Sequence, residues 1–175
     1  LLNQQERAPH DRLTGVIRNV FIRAQGTIQY PLNKTDEDEM VAKAHSLIGE
    51  HPDVFSTPVD IAINKDGKRV EIDVRELSKD DEIFDIGTKT VEHYSKMISG
   101  AGTVFMSGPA GYFEKDNFQF GTKSMLDGIA GSMATSIISG GHLTSALRKY
   151  NLIDKVNHIS TAGGALVRYL TGQKL

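Results

Sequence analysis

At residues 136–145 the chain reads SIISGGHLTS, which is a short β-branched run, two glycines and then a helical pattern. This order predicts a strand, a tight turn and the start of a helix. Amides at a helix N-terminus carry a partial positive charge and can hold a phosphate, and glycine lets the main chain approach such a ligand. For a lone Gly-Gly pair the alternative is an ordinary loop between a strand and a helix.

The composition limits the classes of function. The chain has 175 residues, enough for one domain with a buried core. Its 20 Lys and Arg oppose 22 Asp and Glu, so it lacks the basic excess that nucleic-acid binding requires. Cysteine is absent, which rules out disulfides and thiolate metal sites and is compatible with a cytoplasmic location. The apolar runs are far too short to span a membrane, so we expect no membrane partner.

The start of the chain suggests a piece of a longer protein. The sequence begins with Leu1-Leu2 rather than Met and shows no signal-peptide pattern. Residues 1–11 are polar and without clear period, so we interpret them as a lead-in or the remnant of a preceding element. An apolar face over residues 12–25 predicts a helix, and a second helix is predicted for residues 36–50.

Strands and helices then alternate along the chain. Residues 58–63 and 69–74 alternate in hydrophobicity around Asp66-Gly67, which predicts a hairpin. Short strands are predicted next, each followed by a helix: strands at 83–87, 103–106, 136–139 and 156–160, helices at 88–98, 122–130, 143–150 and 165–170. Such spacing predicts right-handed βαβ units and a mainly parallel sheet. Thr88 is the expected N-cap of the helix at 88–98. Asp85 could also cap this helix, which would give it a structural role only.

Three glycine turns follow three successive predicted strands: SGPAG at 107–111, SGG at 139–141 and TAGG at 161–164. Because the carboxyl ends of parallel strands share one edge, and ligands bind there, these turns favour an anionic ligand held by main-chain amides. A nucleotide is the leading candidate. Neither G-x-x-x-x-G-K-[ST] nor G-x-G-x-x-G with a following acid is present, so spacing alone predicts only a nucleotide or phosphate binder.

Five motifs in order resemble those of the phosphoglycerate kinases. DIGTKT at 85–90 precedes VFMSGPAGYFE at 104–114, as D-x-G-x-K-T precedes N-G-P-x-G-x-F-E in that family. FGTK at 120–123, SGGH at 139–142 and HISTAGGA at 158–165 follow at matching intervals. His142 stands where bacterial and eukaryotic members carry aspartate, which resembles the archaeal branch.

The resemblance runs from about Leu13 to Leu175 and implies a fold and an activity. The fold class is α/β, a Rossmann-like three-layer α/β/α domain with a mainly parallel sheet. Residues 12–175 would form the C-terminal nucleotide-binding domain of a longer two-domain kinase, a monomer or weak dimer in the cytoplasm. That kinase moves a phosphoryl group between 1,3-bisphosphoglycerate and ADP in glycolysis, with Mg²⁺ carried by ATP or ADP. The 3-phosphoglycerate-binding half is missing here, so we expect the chain alone to be inactive.

The resemblance also implies the site. The candidate catalytic residues are glycines that face the phosphates: Gly140, Gly141, Gly163 and Gly164. A helix N-terminus there would stabilise the transferring phosphoryl group without a nucleophile. Glu114 matches the acid that holds the ribose hydroxyls, and Tyr112 matches a position beside the adenine. The full set of candidate nucleotide-binding residues is Gly15, Ser107, Gly108, Pro109, Gly111, Tyr112, Glu114, His142 and Thr144.

Departures from the family pattern leave other hypotheses open. Ser107 replaces an asparagine, Ser139 and Ala162 each replace a glycine, and Leu143 occupies the position of a phosphate-contacting threonine. His142 is a poor ligand for Mg²⁺, so no metal ligand is assigned. A degenerate domain of the same shape without catalysis is one alternative. A dinucleotide-binding oxidoreductase module is another, although its fingerprint is missing. For Glu114 a plain surface acid, and for Tyr112 packing alone, are the structural alternatives.

Overall fold

A computed structural model describes Ala24 and residues 37–50, 55–170 and 172. The predicted lead-in at 1–11 and candidate Gly15 lie outside the described residues, as does all of the helix predicted for 12–25 except Ala24, which is helical. Within the described part of the chain, no helix is long and apolar enough to cross a membrane.

The helices and strands follow the predicted order. Among the described residues from 37 onwards, the helices are α1 (Glu37–Glu50), α2 (Thr88–Ser99), α3 (Phe120–Gly131), α4 (Gly141–Lys149) and α5 (Gly163–Leu170). The strands are β1 (Asp60–Lys65), β2 (Lys68–Asp73), β3 (Ile83–Ile86), β4 (Thr103–Ser107), β5 (Thr135–Ser139) and β6 (His158–Ser160). Short 3-10 turns lie at Val74–Glu76, Asp116–Phe118 and Ile153–Lys155.

Two three-stranded sheets organise the described part of the chain. β1 and β2 form the predicted hairpin, with Asp66 and Gly67 both at positive φ in its turn, and β3 pairs antiparallel with the other side of β1. β4, β5 and β6 form a parallel sheet with β5 in the centre. The α/β prediction with a parallel sheet is therefore confirmed, and the hairpin contributes an antiparallel sheet beside it.

Gly141, Gly163 and Gly164 lie in the first turns of helices α4 and α5 and not in the turns before them. The amide of Thr144 donates to the carbonyl of Gly140 at 3.1 Å, and the amide of Leu166 donates to the carbonyl of Ala162 at 2.8 Å. α4 therefore starts at Gly141 and α5 at Gly163, both two residues earlier than predicted. The prediction that Gly163 and Gly164 form a turn was wrong, because helical hydrogen bonding begins at Ala162.

α3 and α4 cover one face of the parallel sheet and close its core. The cluster includes Leu126, Ile138, Leu143 and Leu147, all fully buried. Burial of each such side chain contributes roughly 1.5–3 kcal/mol before entropy costs. The core fixes the direction of α4, and therefore the place where its N-terminus meets the carboxyl end of β5.

Asp60 of β1, not Thr88, caps helix α2. The backbone at the N-cap position, Gly87, offers no side chain, and the Thr88 hydroxyl instead donates to Glu71 at 3.1 Å. The buried Asp60 carboxylate accepts hydrogen bonds from the amides of Lys89 at 2.9 Å and Thr90 at 2.8 Å. A Cβ at Gly87 would overlap that carboxylate. The prediction that Thr88 caps α2 was wrong, because Asp60, 28 positions earlier in the chain, accepts the hydrogen bonds of the first helix amides.

We expect Asp60→Ala to lower the free energy of unfolding by about 2 kcal/mol, because it removes a helix cap and leaves the buried Thr90 amide without its partner. Thr88→Ala is the matched control. Its hydroxyl bonds only to an exposed carboxylate, so the loss should stay below about 1 kcal/mol. Urea denaturation of both variants measures the difference. A larger loss in Thr88→Ala than in Asp60→Ala would contradict this assignment.

Candidate functional site

The carboxyl ends of the parallel strands bring the three glycine-containing segments to one edge of the sheet. Ser107 lies opposite Ser139 in register, and Ser139 lies opposite Ser160. We call the segments that follow the glycine edge: residues 107–111, 139–141 and 161–164. The amide of Gly140 donates to the carbonyl of Ser160 at 2.8 Å, and a Cβ at Gly163 would lie 3.5 Å from the Gly140 Cα. The segments that follow β5 and β6 are therefore in contact.

Backbone conformation explains why Gly140 is glycine. Its φ of 108° and ψ of 145° lie in a region that side chains with a Cβ rarely adopt. This conformation turns the chain sharply from β5 into α4, whose first amides have no acceptor within the helix. Nothing lies within 4 Å of a Cβ placed on Gly141. The N-terminus of α4 is therefore open to an anion from solvent.

Glu114 and His142 bring the loop after β4 onto the start of α4. Glu114 Oε1 lies 3.3 Å from His142 Nδ1, and the two side chains are 38% and 51% exposed. At the other end of α4, Lys149 Nζ donates to the carbonyl of Phe113 at 2.8 Å. Two side chains of α4 therefore contact consecutive residues of this loop: His142 contacts the side chain of Glu114, and Lys149 contacts the backbone of Phe113.

Asp85 forms the floor beneath the same loop. It is fully buried and accepts from Arg69 Nη1 at 2.8 Å, from the Gly121 amide at 2.8 Å and from the Ile86 amide at 2.9 Å. Burial raises the pKa of the Asp85 carboxyl, and the Gly121 amide and Arg69 partly oppose that shift. The alternative that Asp85 caps α2 was wrong. Two of its partners, Arg69 on β2 and Gly121 on α3, are far away in the sequence, so no local signal identified this role.

Two positions that contact the Asp85 carboxylate, Gly111 and Gly121, leave no room for a side chain. A Cβ at Gly111 or at Gly121 would overlap the carboxylate. The Gly111 amide also donates to the Thr122 hydroxyl at 3.0 Å, which fixes the loop to the first turn of α3. The requirement for Gly111 that the motif predicted therefore has a packing cause, whatever binds above it.

Several candidate residues have structural partners of their own. The half-buried Tyr112 ring packs on Phe84 at a centroid distance of 5.4 Å, and the Lys115 ammonium lies 5.1 Å from it. The Thr144 hydroxyl donates to the Gly140 carbonyl at 3.1 Å, and Leu143 is in the core. Ser107, Gly108 and Gly141 are exposed, and Pro109 is half-buried.

Ser139 differs from these residues. Its hydroxyl is buried at the carboxyl end of β5 and has no hydrogen-bond partner among the described residues. The sequence identified Ser139 only as a departure from a glycine pattern, and gave no sign that its hydroxyl would be unpaired.

Backbone geometry, and not a group of metal-ligating side chains, distinguishes the glycine edge among the described residues. Among the described residues no group of three or more His, Asp or Glu side chains could hold a metal ion. A cavity of about 600 Å³ lies between α1 and the segments around β1 and β2, lined in part by His45, Ile48, Val59 and Asp73. None of its lining residues belongs to the glycine edge. The candidate site is thus an exposed edge of backbone amides with the Glu114–His142 contact beside it.

Comparison with known proteins gives consistent matches over nearly the whole chain. The sequence model of the family described as "Phosphoglycerate kinase" matches residues 9–173. A protein of that name from Methanothermus fervidus is 39% identical over 170 residues, which cover 93% of this chain and 40% of that protein. Another from Methanopyrus kandleri is 39% identical over 168 residues, with 93% and 41% covered.

Solved structures agree with the sequence matches. The crystal structure of phosphoglycerate kinase from Pyrococcus horikoshii superposes with a TM-score of 0.82 at 34% identity, covering 92% of this chain and 42% of that one. The enzyme from Coxiella burnetii gives 0.77 at 33% identity, with 91% and 43% covered. The chain therefore spans about two fifths of the length of these relatives. The resemblance to this family, including its archaeal members, is confirmed.

Proposed function

Because this chain belongs to the phosphoglycerate kinase family, we propose that residues 12–175 form the nucleotide-binding domain of such a kinase. We propose that this domain holds ADP or ATP along the glycine edge. The observation that carries the proposal is the contact between the β5 and β6 turns beside the open N-terminus of α4. A helix N-terminus with adjacent glycines is suited to phosphate oxygens, because amides donate hydrogen bonds and no Cβ keeps the ligand away.

The proposed whole-protein activity is phosphoryl transfer between 1,3-bisphosphoglycerate and ADP, which gives 3-phosphoglycerate and ATP in the cytoplasm. The phosphoglycerate would bind in the part of the relatives that this chain does not span. We therefore expect the 175-residue chain to bind nucleotide without catalysing transfer. No nucleophile is needed for this chemistry, since positioning and charge stabilisation supply most of the catalysis.

Each part of the nucleotide has a candidate partner. The phosphates would meet the amides of Gly141 and His142, and Gly163 and Gly164 would approach them from α5. The exposed Glu114 carboxylate, with several acceptor positions, suits the ribose hydroxyls. The unpaired Ser139 hydroxyl beneath the edge costs about 1–3 kcal/mol while it lacks a partner, and a ligand or bound water would remove that cost.

Mg²⁺ fits this site only as a companion of the phosphates. The described residues provide no cluster of three or more carboxylates and imidazoles, so phosphate oxygens and water would supply its ligands. Bound in that way, the ion neutralises part of the phosphate charge. The role that remains for the protein is to hold the phosphate oxygens in place with backbone amides.

We expect the chain to bind Mg-ADP in a calorimetric titration and Glu114→Gln to weaken that binding roughly tenfold, the effect of losing one charged hydrogen bond. Gly141→Ala should weaken it at least as much while the fold stays intact, because its Cβ would point into open space that a phosphate occupies. Asp116→Asn is the matched control. It removes the same charge from the same loop at a side chain that is 89% exposed.

The titration also separates this proposal from its alternative. Equal weakening by Glu114→Gln and Asp116→Asn would show that the effect is not specific to Glu114 and would contradict the ribose assignment. No binding of Mg-ADP to the folded chain would favour a degenerate domain of the same shape. That alternative is supported by Leu143, which is used for core packing, and by Thr144, whose hydroxyl is already bonded to the Gly140 carbonyl.

A further inference from the structure

We propose that His142 is a positioning residue for Glu114 and thereby sets how strongly the chain selects a nucleotide with ribose hydroxyls. The inference rests on the proposed function, because it concerns the sugar of the same ligand. Its structural basis is the 3.3 Å approach of His142 Nδ1 to Glu114 Oε1 at the glycine edge.

A glutamate in this place needs a partner to be selective. Its side chain is 38% exposed and rotates about three bonds, so without a contact it would populate many orientations. An N–H at His142 Nδ1 that donates to Oε1 fixes the carboxylate and leaves Oε2 free to accept from a sugar hydroxyl. Because His142 lies in the first turn of α4, the carboxylate is then fixed relative to the same helix that would hold the phosphates.

The backbone of the Glu114 loop does not depend on His142. The Lys149 ammonium holds the Phe113 carbonyl at 2.8 Å, and the Tyr112 amide donates to the Phe84 carbonyl at 2.7 Å. His142 itself is half exposed and outside the core. Loss of its imidazole should therefore free the Glu114 side chain without moving the loop or unfolding the chain.

The test compares two nucleotides on the 175-residue chain: Mg-ADP and Mg-2′,3′-dideoxy-ADP, which lacks both ribose hydroxyls. The measured quantity is the ratio of their dissociation constants by calorimetry. We expect the native chain to prefer ADP roughly tenfold, as one charged hydrogen bond implies, and His142→Ala to reduce that preference to roughly twofold. Dideoxy-ADP itself should bind His142→Ala about as well as it binds the native chain.

Two further variants make the readout specific to positioning. Asparagine places its amide nitrogen near the position of histidine Nδ1, so His142→Asn should restore the preference for ADP. Glutamine instead reaches the position of Nε2, so His142→Gln should not restore it. Circular dichroism and thermal melts check that all four chains are folded.

The outcomes separate this inference from the proposed function. An unchanged ratio in His142→Ala would overturn the positioning role while leaving nucleotide binding in place. Equal weakening of both nucleotides would also overturn it, because His142 would then act on the phosphates or the base. If the folded native chain bound neither nucleotide, the proposed function would fail first and this inference with it.

Discussion

Gly111→Ala is expected to lower the free energy of unfolding by about 3–5 kcal/mol, the cost of overpacking together with the disruption of a buried ion pair. The new Cβ would overlap the Asp85 carboxylate. That carboxylate cannot rotate away without losing Arg69 and the Gly121 amide, both at 2.8 Å. Since Arg69 also donates to the Ile86 carbonyl at 2.9 Å, the strain would spread into the antiparallel sheet.

Gly128→Ala is the matched control for this variant. Gly128 lies within α3, and the nearest atom to an added Cβ is a methyl of Ile98 at 3.9 Å. Alanine in a helix interior is favoured over glycine by about 0.5–1 kcal/mol, so Gly128→Ala should leave the chain as stable or more stable. Urea denaturation at one pH measures both. A loss below 1 kcal/mol in Gly111→Ala would show that Asp85 is not held as tightly as its hydrogen bonds indicate.

The sequence predicted those elements of the fold that depend on residues close together along the chain. The hairpin at Asp66-Gly67 and the parallel strands β4 and β5 were located to within one or two residues, because period-two runs and turn residues are local signals. The turns at 107–111 and 139–141 followed from the same signals, whereas Gly163 and Gly164 begin helix α5. What brings the turns together is the topology of a parallel sheet, which strand–helix alternation also predicts.

The part that could not be predicted depends on contacts between distant residues. Asp60 caps a helix that begins 28 positions later, and Asp85 pairs with Arg69 of β2 and with Gly121 of α3. Neither residue carries a local signal for these partners. Sequence patterns near the start of α2 therefore predicted Thr88, with Asp85 as an alternative, for the cap that Asp60 provides.

The site shows the same division. Glu114 and His142 were both candidates, yet their contact depends on how the β4 loop lies against α4. The single-residue departures were visible in the sequence, but their consequences were not. Leu143 fills the core, and Ser139 carries an unpaired buried hydroxyl. A residue type alone could not distinguish a lost ligand contact from a packing substitution.

Gly140→Val is expected to abolish Mg-ADP binding and to lower the free energy of unfolding by about 1–3 kcal/mol, the cost of a strained backbone conformation. Valine is β-branched and strongly disfavours a φ of 108°, so the turn must change shape. That turn holds the hydrogen bond from Gly140 to the Ser160 carbonyl at 2.8 Å, and it aims the first amides of α4. Titration and urea denaturation should therefore both show a loss, whereas Gly141→Ala, with no backbone strain, should lose only binding. Native stability together with native affinity in Gly140→Val would show that the turn neither requires glycine nor shapes the phosphate site.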